Sequence, residues 1–451
     1  MGERKLTRGE LFFIGTMLFG LFFGAGNLIF PVFVGQQAGQ ALGPAVLGFL
    51  ISGVGLPLLG VAAIGMSKSD GVYTMAQRIN RPYAYGFTLL LYLCIGPFFA
   101  LPRLVPISYE IGLAPFIKPA HGTLGLAVFS VLFFAAAWWF ARKPSKIMTY
   151  VGKILTPAFL IALAILLIAV VVKPMGRGQL PTAAYQRVPV LTGFTAGYST
   201  MDALAALAFG IIVVDAIKNL GVTAPTQIAK DTIKAGVLAA GMMAVLYALL
   251  AILGRNALGE FARASNGGPI LANVANAYFG PVGSVLLAII VILACLKTAI
   301  GLISAFGDTL HELLPQVPYQ GLILVATVLP IIFANAGLNQ ILAVATPVLY
   351  FIYPLAITLI LLSLLTPVLG TSRWLFNTVT VFTLVPALLD GLNALPASWH
   401  HGIVQTLLNF GHYLPGFAYG LGWCVPAVLG LAVGWVLAQL AAHHHTKKGV
   451  G

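Results

Sequence analysis

Apolar positions in this chain come in long unbroken blocks, with neither the stripe of an amphipathic helix nor the alternation of a strand. A block of about 20 apolar residues matches the roughly 30 Å hydrocarbon core of a bilayer. About 12 such blocks can be read, at residues 11–31, 44–66, 83–105, 124–140, 148–172, 194–217, 234–254, 281–305, 321–337, 341–365, 374–392 and 418–440. A membrane β-barrel would alternate apolar and polar positions in segments of about 10 residues, and these blocks are apolar on every face. The first block holds Asn27 and Pro31 and lacks a small-residue cleavage site, so it is read as a span and not as a cleaved leader. The pattern predicts an all-α integral membrane protein with about 12 transmembrane helices.

Composition agrees. Of 451 residues, 59% are hydrophobic and 8% charged, and the mean hydropathy is +0.98. A soluble chain this apolar would expose large greasy patches to water. The net charge of +13 suggests nucleic acid at first sight, but the cations fall in short loops and act as topology signals. With the N-terminus in the cytoplasm, 16 Lys and Arg residues lie on the cytoplasmic side. Seven lie opposite: Arg103, Lys118, Lys173, Arg177, Arg187, Arg255 and Arg263. That bias predicts cytoplasmic N- and C-termini and no nucleic-acid partner. Cys94, Cys295 and Cys424 fall inside spans without metal spacing, so no disulfide or metal site is expected. The tract His443–His445 is assigned no function.

The connections at 173–193, 255–280 and 393–417, about 20 to 26 residues long, leave no room for a soluble domain. A single membrane-embedded unit favours transport or conduction. The informative irregularities lie within the spans. The first block carries Gly24-Ala25-Gly26-Asn27 and then Pro31. Glycine weakens a helix by about 1 kcal/mol and proline by about 3, so this helix should break mid-membrane. The sixth block carries Gly197-Tyr198-Ser199-Thr200-Met201-Asp202, small and hydroxyl residues around a carboxylate. A charge at the bilayer centre costs about 2.5–3.5 kcal/mol, and such residues usually have a functional partner. Corresponding broken helices in two halves of a chain point to a transporter's binding site. If five spans make one repeat, the first and sixth occupy equivalent places.

Each motif has a plainer reading. Gly24, Ala25, Gly26 and Asn27 would offer freed amides to a carboxylate and carbonyls to a cation. Gly20 and Gly24 would also serve simple close helix packing. Thr200, Met201 and Asp202 would receive an ammonium group or sodium, or Asp202 would pair with another buried polar group. Lys297, in the eighth block, sits about nine residues, roughly 14 Å, from the cytoplasmic end. That is too deep for full snorkelling. Its ammonium would stand in for a sodium ion, shuttle a proton, or form a structural salt bridge to Asp202. Pro97, Phe98, Phe99 and Pro102 would line an apolar side-chain pocket or merely pack.

Four stretches resemble the bacterial branched-chain amino acid:cation symporters of the BrnQ type. They are residues 21–39 with the GAGNLIFP core, Gly96-Pro97 with Pro102-Arg103, residues 197–210 (GYSTMDALAALAFG), and Ala294-Cys295-Leu296 with Thr298-Ala299. Order and spacing match over essentially the whole chain. The resemblance implies the inverted-repeat fold of the leucine-transporter superfamily. It thus implies a 5+5 inverted repeat with discontinuous helices 1 and 6 (residues 10–173 and 193–365) and two extra helices within 374–440. It implies uptake of leucine, isoleucine and valine across the bacterial cytoplasmic membrane, coupled to sodium or another cation. Carried over, Gly24, Ala25, Gly26 and Asn27 with Thr200, Met201 and Asp202 would contact substrate. Asn27, Thr200, Ala294 and Thr298 would belong to cation sites.

The departure is Lys297, where similar proteins carry an uncharged residue. Two unit charges 4 Å apart repel by about 4 kcal/mol at an effective dielectric of 20, so a charged Lys297 would repel sodium bound beside Thr298. The alternative is a sodium-independent or proton-coupled transporter with Lys297 as cation surrogate. No other cofactor is expected. A channel would need rings of polar groups along a pore, and the polar residues are too sparse. An enzyme would need a catalytic constellation, and HExxH, GxSxG and paired carboxylates are missing.

Overall fold

The computed structural model describes residues 4–67, 69, 71–117, 121–143, 148–176 and 178–448. Among the topology cations, Lys68, Lys118, Lys146 and Arg177 lie outside the described residues, as do the side chains of His443, His444 and His445. The described chain is helical, with the apolar blocks as helices. Inside a bilayer every backbone amide and carbonyl must be paired within the segment, and a helix does that.

The first block is two helices, α1 (Arg8–Phe22) and α2 (Ala25–Ala38). Their join is at Phe23-Gly24, well before Pro31, and α2 continues through the proline. The second block runs α3 (Leu42–Leu50) into α4 (Leu56–Ser67) through one π-helical turn. After the short α5 (Val72–Ala76), the third block divides into α6 (Arg81–Leu93) and α7 (Ala100–Gly112). Gly96 there has a non-helical backbone, and Pro97 removes an amide. Next come α8 (Gly122–Ala141) and α9 (Thr156–Val172), then the short α10 (Ala183–Arg187). The sixth block is α11 (Pro189–Gly197) and α12 (Asp202–Asn219), bent by 42°. It is followed by α13 (Pro225–Ala257) and α14 (Gly267–Leu313), which kinks at Gly280 where φ is 57°. The chain closes with α15 (Tyr319–Ala334), α16 (Leu338–Leu369), α17 (Arg373–Asn393), α18 (Gly402–Gly411) and α19 (Cys424–Lys448).

By length and composition, nine continuous helical runs among the described residues can cross a membrane, with Ala25–Ser67 and Arg81–Gly112 each counted as one run, or ten when α11 and α12 count as one span. The expected twelve is not reached because α1 and α15, with 15 and 16 residues, are too short alone to pass that test.

Packing sorts the helices by depth. Along α12 the buried residues occupy nearly every face, as expected of a helix surrounded by others. On α9, α16 and α18, by contrast, Val172 (77%), Val368 (81%) and Ile403 (80%) stand exposed, which lipid tolerates and water does not. The broken first span lies against α13 and α14, and α12 against α4 and α14. Glycine permits the closest approaches. A Cβ on Gly35 of α2 would stand 1.9 Å from the Ala251 carbonyl oxygen of α13. One on Gly254 of α13 would meet the Val32 oxygen at the same distance. Small residues of this kind let membrane helices touch backbone to backbone.

Candidate functional site

The two helix breaks meet. At the first, Gly24 is extended (φ −106°, ψ −158°), and its missing Cβ leaves room for the Thr298 hydroxyl, which would lie 2.7 Å from it. Asn27 caps the new helix from within: its Oδ1 accepts from the Gly24 amide at 3.0 Å. At the second break, Met201 alone among the described non-glycine residues has positive φ (64°). The left-handed conformation costs about 1–2 kcal/mol for an L-residue. It ends the turn Tyr198–Thr200 and restarts the helix with Asp202 in its first turn, where the helix dipole favours an anion.

One hydrogen-bond cluster ties the breaks together. Asn27 Nδ2 donates to Asp202 Oδ2 at 2.7 Å and also to the Tyr247 hydroxyl. Tyr247, on α13, donates in turn to the same Asp202 oxygen at 2.6 Å. The Thr200 hydroxyl donates to the Gly197 carbonyl at 2.9 Å and accepts from the Asp202 amide at 3.3 Å. The Asp202 carboxylate is thus buried and hydrogen-bonded, as a charge in a low-dielectric interior requires.

Beside this cluster is a small cavity of about 20 Å³. Gly24, Ala25, Gly26, Asn27, Thr200, Met201, Asp202 and Thr298 all line it. Its apolar wall comes from Phe22, Ile95, Leu104, Ala205, Phe209 and Leu302. Phe98 and Phe99 do not supply that wall. Phe98 packs edge-on against Phe333, 5.4 Å between ring centres, because the Gly96-Pro97 break turns the following residues away.

Lys297 is completely buried, yet it makes no salt bridge to Asp202. Its ammonium donates to the Gly20 carbonyl at 3.2 Å and to the Phe23 carbonyl, and lies 4.2 Å from the centre of the Phe159 ring. Thr298 donates to the Leu21 carbonyl at 3.1 Å. These are the orphan carbonyls at the C-terminal end of α1, where the dipole favours a cation and the aromatic face adds a cation–π contribution. Ala294, one turn earlier on α14, is buried and stands apart from the cavity lining. Gly20 packs closely, its bare Cα lying against Thr156, and its carbonyl also receives Lys297.

Arg103 is a correction. It is not a loop cation: it lies in α7, 4% exposed, inside the site. Nη1 donates to the Ser199 carbonyl at 2.6 Å and Nη2 to the Thr200 carbonyl at 2.8 Å. It therefore caps the end of α11 much as Lys297 caps the end of α1. Without it the expected distribution is 16 cations against six, and the predicted bias becomes stronger. Hydropathy missed Arg103 because it sits near the edge of the third block. The preceding Gly96-Pro97 was the available signal, since that break sets the start of α7. Tyr247 gave no signal, being one aromatic residue in an apolar helix.

A helical bundle in which two broken helices meet at one cavity has the fold of leucine-transporter-type membrane proteins. Solved structures agree on that fold. MhsT in complex with L-phenylalanine has a TM-score of 0.58 at 15% identity, covering 97% of this chain and 100% of that one. Mhp1, a nucleobase-cation-symport-1 family transporter with bromovinylhydantoin bound, gives 0.57 at 12% identity, covering 96% and 93%. The chain belongs to the family described as branched-chain amino acid transport protein, which matches residues 7–441. Branched-chain amino acid permease BrnQ of Lactobacillus delbrueckii subsp. lactis is 43% identical over 96% of this chain and 97% of its own. BrnQ of Bacillus subtilis (strain 168) is 40% identical over 97% and 98%. The branched-chain amino acid transport system 2 carrier protein of Pseudomonas aeruginosa is 37% identical over 96% of each. This is a family of membrane transport proteins, not of enzymes.

Proposed function

We propose that this chain imports leucine, isoleucine and valine across the bacterial cytoplasmic membrane by alternating access, with both termini in the cytoplasm. The reading takes twelve spans: two inverted repeats over residues 10–173 and 193–365, then two further helices over 374–440. The observation that carries it is the meeting of both helix breaks at one buried, part-polar, part-apolar cavity, within a chain of this family. Helices of the third and eighth spans supply the cations that cap the two breaks, which is the equivalence an inverted repeat requires.

In this reading substrate lies between Gly24–Asn27 and Thr200–Asp202 once the cavity widens, since its volume of about 20 Å³ holds about one water. Its ammonium meets Asp202, because Arg103 already occupies the Ser199 and Thr200 carbonyls. Its branched side chain faces Phe22, Phe209 and Leu302. Size separates valine from leucine weakly, since one methylene is worth about 1–3 kcal/mol.

Sodium does not fit beside Thr298. The carbonyls of Gly20 and Phe23 hold the Lys297 ammonium, and that of Leu21 holds the Thr298 hydroxyl. We therefore favour transport that is sodium-independent or proton-coupled, with Lys297 in the place of the ion. The test is radiolabelled leucine uptake into proteoliposomes under separate sodium and proton gradients. Uptake driven by the proton gradient, or exchange needing neither ion, is expected. Concentrative uptake driven by sodium alone overturns the coupling, and absence of saturable branched-chain uptake overturns the substrate.

A further inference from the structure

Arg103 does more in this geometry than cap a helix. A guanidinium carries five N–H donors, and two of them are seen to be used, on the Ser199 and Thr200 carbonyls. Its Nε is buried with no hydrogen-bond partner among the described residues. The same side chain reaches the other break. Nη2 would lie 3.1 Å from a Cβ placed on Gly26, and the guanidinium carbon is 5.6 Å from the centre of the Phe30 ring one turn along α2. Arg103 thus bridges the C-terminal end of α11 and the N-terminal turn of α2, and it lines the cavity.

No carboxylate among the described residues forms an ion pair with it. Asp202, the cavity's acidic side chain, takes its bonds from Asn27 and Tyr247 instead. The cavity wall therefore presents a fixed positive charge and a fixed negative charge held by separate partners. Asp202 attracts Arg103 through space without touching it, so a ligand carboxylate that contacts the guanidinium supplies the direct partner it lacks. The N-terminal turn of α2 adds amides and the positive end of a helix dipole on the same side as the guanidinium.

We propose that Arg103 is the receptor for the substrate's carboxylate, which docks on the cavity side of its guanidinium, beside the first turn of α2. Arg103 thereby sets selectivity for zwitterionic amino acids over amines of the same shape. This rests on the substrate reading above. Glycine at position 26 is part of the device, since it lets the guanidinium lie against the helix, where even a Cβ would stand 3.1 Å from Nη2.

The experiment compares leucine with 3-methylbutylamine, which keeps the ammonium and the branched chain and lacks the carboxylate. Purified wild-type protein, Arg103→Gln and Arg103→Lys are titrated with each ligand, reading ligand-induced thermal stabilisation. Wild type should prefer leucine by about 100-fold or more, the range set by losing one partner of a buried charge pair. Arg103→Gln should lose most of that preference through weaker leucine binding, with the amine unaffected. Arg103→Lys keeps the charge without the fork and should lie between. If Arg103→Gln does not fold, the lysine variant decides alone: a preference that falls supports the receptor, and an unchanged preference overturns it. Equal weakening of both ligands, or a wild type that does not distinguish them, also overturns it. A wild type that binds leucine but shows one of those patterns sinks only the Arg103 role. A wild type that binds no leucine sinks the substrate reading and this proposal with it.

Discussion

At the scale of single residues, the site is built from groups that are costly alone and acceptable together. Asp202 is held by Asn27 and Tyr247, and Lys297 by two carbonyls and an aromatic face. Tyr247→Phe removes one donor to a buried carboxylate, a bond worth about 1.5–3 kcal/mol. Leucine affinity should fall by roughly tenfold or more on that scale while the fold persists, as read by binding titration beside a melting curve. An unchanged affinity would place Asp202 outside substrate recognition. Lys297→Ala strips the cap from the Gly20 and Phe23 carbonyls. Leucine uptake should drop by about tenfold or more, the scale of leaving buried acceptors unpaired. Sodium-dependent uptake that survives unchanged in this variant counts against Lys297 as cation surrogate.

At the scale of elements, glycines decide where helices break and where they touch. Gly35 and Gly254 hold α2 and α13 at backbone contact. Gly35→Ala forces a methyl group onto the Ala251 carbonyl oxygen, so the helices must part. A loss of about 1–3 kcal/mol is expected, as for overpacking in a close-packed core, seen as a lower melting temperature in detergent. Gly86→Ala on α6 is the control. It is exposed with nothing within 4 Å of the added carbon, so it should be neutral or slightly stabilising. Equal effects from both substitutions would mean that contact at Gly35 is not what limits stability. Both helix breaks were legible from sequence, because glycine, proline and a lone carboxylate in an apolar run are local signals. The boundary at Pro31 was misplaced: the ring tolerates a place inside α2, and the break is set by the extended Gly24 capped by Asn27.

At the scale of the whole molecule, orientation rests on the cation bias, and it is testable without transport. In a background lacking Cys94, Cys295 and Cys424, Lys218→Cys should react with a membrane-impermeant maleimide only after the cells are opened. Arg187→Cys should react in intact cells. The reverse pattern would invert the topology and with it the direction of import.

The sequence alone determined that the chain lives in a bilayer, that its first and sixth spans break, and that Asn27, Asp202 and Lys297 are unusual where they stand. Hydropathy and helix propensity are short-range properties, and the cost of a charge in lipid can be stated before its neighbours are known. Which groups meet was decided only by the tertiary structure. Lys297 reaches Gly20 across 277 positions, Tyr247 reaches Asn27 across 220, and Arg103 reaches Thr200 across 97. Before packing, Lys297 had the Asp202 carboxylate and the end of α1 as competing partners, and Arg103 read as a loop cation. Assembly of the helices resolved both, because a buried ion takes the partner that packing brings within hydrogen-bond reach and cannot wait for one in water.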